Sequence, residues 1–94
     1  MVIENRNGDV VSPNISKMGV LDVSTGDFRL NESDGGFLIK NETDSAIPLR
    51  VRLLAMSDSE DPIETLFYPG WGNELVKFVE KNSSLTSNML KYGY

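Results

Sequence analysis

The chain has 94 residues, no cysteine, no histidine and a formal net charge of −5. Those two absences exclude disulfides, thiolate metal sites and cysteine nucleophiles, and remove the commonest general base, the usual metal ligand and the centre of a Ser-His-Asp triad. With so negative a balance Lys and Arg cannot build the broad positive field that holds a phosphate backbone, so nucleic acid is not an expected partner.

At the N-terminus Met1–Val2–Ile3 gives way at once to Glu4–Asn5–Arg6–Asn7, and no segment approaches the ~20 apolar residues that span a bilayer. The expectation is synthesis in the cytoplasm without a membrane anchor. Val2–Glu4 and Asp9–Val11 flank Asn7–Gly8, a tight-turn dipeptide, so an N-terminal hairpin or arm is expected over 1–18. Ser12–Lys17 is polar and carries Pro13, which cannot donate to a central ladder. The compact domain is expected to span 19–94.

Val20–Val23 and Phe28–Leu30, separated by Ser24–Thr25–Gly26–Asp27, read as a hairpin, and Asn31–Gly36 as a loop. Phe37–Lys40 is a short strand, and Asn41–Ser45 a turn. From Ile47 to Met56 the alternation is clearest: Ile47, Leu49, Val51 and Leu53 fall on one face, with Arg50 and Arg52 on the other. Ser57–Pro62 is an acidic loop, and Ile63–Tyr68 alternates until Pro69–Gly70 stops it, a spacing that suits a sandwich meander.

Residues 73–81 fit two patterns. Leu75, Val76, Phe78 and Val79 form a helical stripe, with Asn73 as N-cap and Lys77 and Lys81 toward the cation-favouring end; as a strand the segment is buried on both faces. Met89–Tyr94 reads as a closing strand. The fold class is therefore all-β: a small antiparallel β-sandwich or barrel with an extended N-terminal arm, the alternative being one short helix at 73–81. A core this small gains from shared apolar surface, so self-association is expected.

Few residues carry chemistry. Asp58, Glu60, Asp61 and Glu64 are oxygen ligands of the kind calcium takes, but they lack the spacing and the glycine of an EF-hand, and nothing sets the separation a glycosidase pair needs. They read as a solvated loop. No catalytic residue, metal site or cofactor is assigned, and the chain is read as a non-enzyme. Four Asn-x-Ser/Thr matches begin at Asn14, Asn31, Asn41 and Asn82, and read as polar turns. Arg and aromatic side chains are enriched in interface cores, which singles out Arg50, Arg52, Tyr68 and Trp71 as candidate interface residues. Trp71, between two glycines, is either a presented contact anchor or sugar platform, or a residue capping the sandwich rim.

One resemblance goes further. Gly26–Asp27–Phe28–Arg29–Leu30, then Asp34–Gly35–Gly36–Phe37–Leu38–Ile39, a long alternating strand, Phe67–Tyr68–Pro69–Gly70, Val76–Lys77–Phe78–Val79, the polar loop Ser83–Ser87 and a closing strand are similar in order to small virion proteins of tailed bacteriophages. The likeness covers roughly residues 20–94, and departs from the usual Gly/Ala loop at Asn82, Leu85 and Ser87. It implies a strand over Glu74–Lys81 and an auxiliary capsid or head-decoration protein that binds the major capsid protein or other virion proteins. Such a protein sits in many copies on a symmetric lattice and is localised to the virion, assembled in the host bacterial cytoplasm. The arm Met1–Lys17 would lie across a neighbour. Tail, neck or spike components, and a carbohydrate- or protein-binding β-sandwich module of a surface protein, are the alternatives.

Overall fold

A computed structural model describes residues 15–30 and 35–94. The N-terminal hairpin expected over 2–11 and most of the arm lie outside the described residues, as does the start of the Asn31–Gly36 loop. Among the described residues seven strands follow in chain order: β1 Met18–Val20, β2 Leu38–Asn41, β3 Ile47–Leu53, β4 Ile63–Phe67, β5 Gly70–Trp71, β6 Val76–Val79 and β7 Leu90–Gly93. They form two antiparallel sheets, ordered β1-β7-β2-β5 and β4-β3-β6, and the described residues contain no helix. The fold is a small β-sandwich and not a closed barrel.

Period-two alternation builds both inner faces. Ile47, Leu49 and Val51 of β3 turn inward with Phe67 of β4, against Ile39 of β2 and Leu90 of β7, while Leu21, Val23, Phe37, Val76 and Val79 complete the buried cluster. Tyr92, facing inward from β7, meets Phe28 and Phe37 at ring-centroid distances of 5.2 and 6.2 Å. Gly70, at φ 95°, makes the Pro69–Gly70 turn that ends β4 and delivers the chain to the other sheet.

Two expectations need correction, and one alternative falls away. Residues 73–81 hold a strand and not the alternative helix, over Val76–Val79 and so shorter than Glu74–Lys81. Opposite β3, Val51 pairs with Val79, Arg52 with Phe78 and Leu53 with Val76, so Lys77 is an extra residue in the ladder. That β-bulge lets Val76 and Val79, three residues apart, both face the core, which in sequence mimics helical spacing. The Val20–Val23/Phe28–Leu30 hairpin does not form. β1 pairs instead with β7, and Phe28 bridges to Val79 on β6. Leu21 and Val23 are both buried, with the Leu21 N–H donating to the Leu90 carbonyl and the Val23 carbonyl accepting from Asn82 N–H. This segment therefore crosses between the sheets. The connectivity is also no meander: β3–β4 is a hairpin, but β7, last in the chain, sits between β1 and β2.

Ahead of β1 the backbone is tied to the chain's end, since the N–H groups of Ser16 and Lys17 both donate to the Tyr94 carbonyl, at 2.8 and 2.9 Å. The sheets are joined near the other end of β2 by Asn41. Its amide donates to the carbonyls of Ser45 (2.7 Å) and Phe67 (2.8 Å), and its oxygen accepts from Thr43 N–H (2.8 Å) and Thr43 Oγ1 (2.7 Å). One buried side chain thus fixes β2, the following turn and the end of β4.

Candidate functional site

Strand alternation places Arg50 and Arg52 on the outer face of the three-stranded sheet. Arg50 Nε lies 3.3 Å from Glu80 Oε2 and stands across the ladder from Glu64. The Arg52 guanidinium lies over the Phe78 ring, 4.3 Å from its centroid, while its Nε donates to the Glu60 carbonyl at 2.7 Å. Arg29 lies over the same ring at 5.3 Å. Phe78 is the outward residue of β6, and these cations are what bury it.

The acidic loop is folded onto this face. Asp58 Oδ1 is 3.2 Å from Lys77 Nζ and 3.7 Å from Arg29 Nη1. The hydrogen bond from Lys77, then the charges of Lys77 and Arg29, hold the Asp58 carboxyl below the ordinary carboxylate range. Glu60 turns inward along its own loop, its Oε2 accepting from Ser57 N–H. Among the described residues no three acidic side chains converge to hold a metal ion. Because Asp58 stays largely exposed, water screens its ion pairs, and they set the loop's position more than they stabilise the fold.

Tyr68 and Trp71 sit elsewhere. They share a shallow cavity of about 260 Å³ with Leu66, Gly72 and Glu74. Tyr68 is exposed, whereas Trp71 faces the outer side of the four-stranded sheet opposite Lys40, whose ammonium lies 5.9 Å from the ring centroid. The far edge of the indole lies so close over Gly93 that an added Cβ there would stand 2.7 Å from it. Trp71 thus packs on the sheet and is half-buried. Beside it Glu42 bridges Lys91 (3.3 Å) and Lys40 (3.5 Å), and the Lys91 hydrogen bond, more than the Lys40 charge, pulls its carboxyl below the ordinary range. The four candidate interface residues are thus not one cluster: Arg50 and Arg52 lie on the outer face of the three-stranded sheet, Tyr68 just beyond the end of β4, and Trp71 on the four-stranded sheet.

Several features were not visible from residue types. Phe78 and its cations depend on the bulge, and the exposed run of Ile63, Leu66 and Tyr68 depends on β4 being a sheet edge. A groove of about 360 Å³ lined by Thr43, Ile47, Pro48, Asn82, Leu85 and Met89 brings the turn before β3 and the start of β3 together with the loop that precedes β7. A signal did exist for the turns. Asn41 and Asn82 each accept from the N–H and hydroxyl two residues on, at 2.8 and 2.7 Å for Thr43 and 3.1 and 2.6 Å for Ser84. Asp22 makes the same pair of bonds with Ser24, whose hydroxyl holds its carboxyl below the ordinary range. Asx-x-Ser/Thr is thus this chain's turn unit, which accounts for the two glycosylation-like matches whose asparagines are described. Asn41, buried and fully bonded, has no free amide to modify.

The fold and these surfaces define a small antiparallel β-sandwich with outward-facing cationic, aromatic and apolar side chains. Compared with family models, curated proteins and solved structures, the chain matches none.

Proposed function

We propose that this chain is a non-enzymatic structural protein of a multicopy assembly, and specifically an auxiliary capsid or head-decoration protein of a tailed-phage virion that binds and stabilises the assembled shell. One observation carries the assembly reading: large apolar side chains stand half-exposed along edge strands of both sheets. Met18 and Val20 of β1 are 48% and 53% exposed, Ile63 and Leu66 of β4 are 57% and 51%, and Tyr68 just beyond β4 is 66%. Edges of this kind are surfaces a partner covers, and a small domain with one on each sheet is suited to contacts with more than one neighbour. The residue order over roughly 20–94 supports the virion setting.

A carbohydrate-binding module is the second reading, favoured by the exposed Tyr68 beside Trp71 on a shallow cavity. Purified chain added to particles assembled without it distinguishes the two. The expected result is saturable co-sedimentation at a fixed ratio to the major shell protein, unaffected by added mono- or oligosaccharides. Failure to co-sediment overturns the virion reading, and competition by sugar favours the module.

A further inference from the structure

We propose that β4 is a self-pairing edge: two copies of this chain join β4 to β4 in antiparallel fashion about a two-fold axis through Thr65, fusing their three-stranded sheets into one of six strands. The contact is a property of the chain alone and does not depend on the virion reading.

The open side of β4 sets the case. β4 pairs with β3 along its whole length, from Ile47↔Phe67 to Val51↔Ile63, and among the described residues no strand lies on its other side. The far side of β6 is different, bridged by Phe28 and Phe37. β5 and β1, the edges of the other sheet, have two and three residues against five for β4. Natural edges are commonly guarded by proline, lysine or a bulge. Ile63–Glu64–Thr65–Leu66–Phe67 contains neither residue, and the bulge of this sheet lies on the β3–β6 side.

The register then selects itself. Opposed residues in an antiparallel pair point to the same side of the sheet, so a one-residue offset would set the core face of one copy against the solvent face of the other. Only axes through a residue remain. An axis through Glu64 sets two carboxylates face to face and brings Pro62 opposite Leu66; one through Leu66 brings Pro69 opposite Ile63. The axis through Thr65 pairs all five residues with strand residues: Thr65 with Thr65, Glu64 with Leu66, and Ile63 with Phe67. No like charges meet. Ile63, which β3 leaves more than half exposed, comes to lie opposite Phe67 of the second copy, whose own ring is already buried in its core. Five opposed pairs make a small interface, so the dimer should depend on concentration.

The test is sedimentation equilibrium of the full chain and of two variants, L66E and L66K. Both remove the same exposed apolar group and neither touches the core, which circular dichroism checks. In the proposed register residue 66 faces Glu64 of the second copy twice. L66E should weaken the wild-type dimer about tenfold, whereas L66K should keep it as tight or tighter, with the difference shrinking at high salt. Equal behaviour of the two variants overturns the proposal, because a mere apolar patch suffers alike from either charge. A wild-type chain that stays monomeric at all concentrations also overturns it and leaves the edge to a strand of another protein.

Discussion

Replacing Asn41 by leucine is expected to lower the stability of the domain by about 2–3 kcal/mol, a drop of roughly 10–25 °C in Tm for a domain of this size. Asn41 is 2% exposed and makes four hydrogen bonds, of which the one to the Phe67 carbonyl is buried and ties β2 to the end of β4 across the sandwich. Leucine has nearly the same volume, so the loss measures the polar network and not a cavity. Aspartate separates the network's donor half from its acceptor half. N41D keeps an oxygen for Thr43 but turns an anion toward the Ser45 and Phe67 carbonyls, which now accept from an amide at 2.7 and 2.8 Å. Burial and those carbonyl dipoles would raise the carboxyl's pKa in the folded state above its unfolded value of about 3.9. The folded form then binds more protons than the unfolded one, so N41D should recover stability relative to wild type as pH falls toward that value, while N41L should show no such trend. Urea unfolding at pH 7 and near pH 4 checks both. An N41L loss under about 0.5 kcal/mol, the range of neutral surface changes, would show that the staple contributes little.

The second large effect is expected at Gly19. Its cross-strand partner is Tyr92, and a Cβ at residue 19 would stand 2.5–2.6 Å from that ring's Oη, Cζ and Cε2. The ring is held by Phe28 at 5.2 Å and Phe37 at 6.2 Å and stacks on Tyr94 at 6.3 Å, so it yields only by disturbing those contacts. G19A should therefore cost about 1–3 kcal/mol through overpacking, although alanine suits a strand better than glycine. Removing the ring removes the reason. In a Y92A background, itself destabilised by about 3 kcal/mol or more, G19A should be neutral or slightly stabilising. Additive losses in this double-mutant cycle would mean that the ring and Gly19 do not share the space.

The sequence made the strands' existence legible where the pattern is local. β3 shows its inner and outer faces directly, and Arg50 and Arg52 lie on the outward side that its alternation gives them. What could not be read was partnership. Val20–Val23 and Phe28–Leu30 look like a hairpin because each is β-prone and a turn lies between, yet the acceptor for Leu21 N–H is the carbonyl of Leu90, near the end of the chain. The same limit hid β4's place at a sheet edge and the separation of the candidate interface residues. At 73–81 periodicity alone leaves helix and strand both open, because a bulge at Lys77 gives a strand the three-residue spacing of a helix. Asn41 passed as an ordinary turn residue, although the recurrence of Asn-x-Ser/Thr held the clue to its bonding.

The wider consequence of the fold is a division of labour. The interior is closed by apolar side chains and one satisfied asparagine, and among the described residues no buried polar side-chain atom lacks a partner. The outward surfaces differ in kind: a cation-capped Phe78 on one sheet, Trp71 against Lys40 on the other, and the open edge of β4. A domain that meets copies of itself through one edge and a shell through another surface would gain avidity from many weak contacts, with no single tight one required. The measurement that tests the proposed function most directly is quantitative mass spectrometry of purified particles from the source lysate, counting this chain against the major shell protein. The decoration role predicts hundreds of copies per particle, in fixed ratio to the shell subunit; absence of the chain from the particles would contradict it.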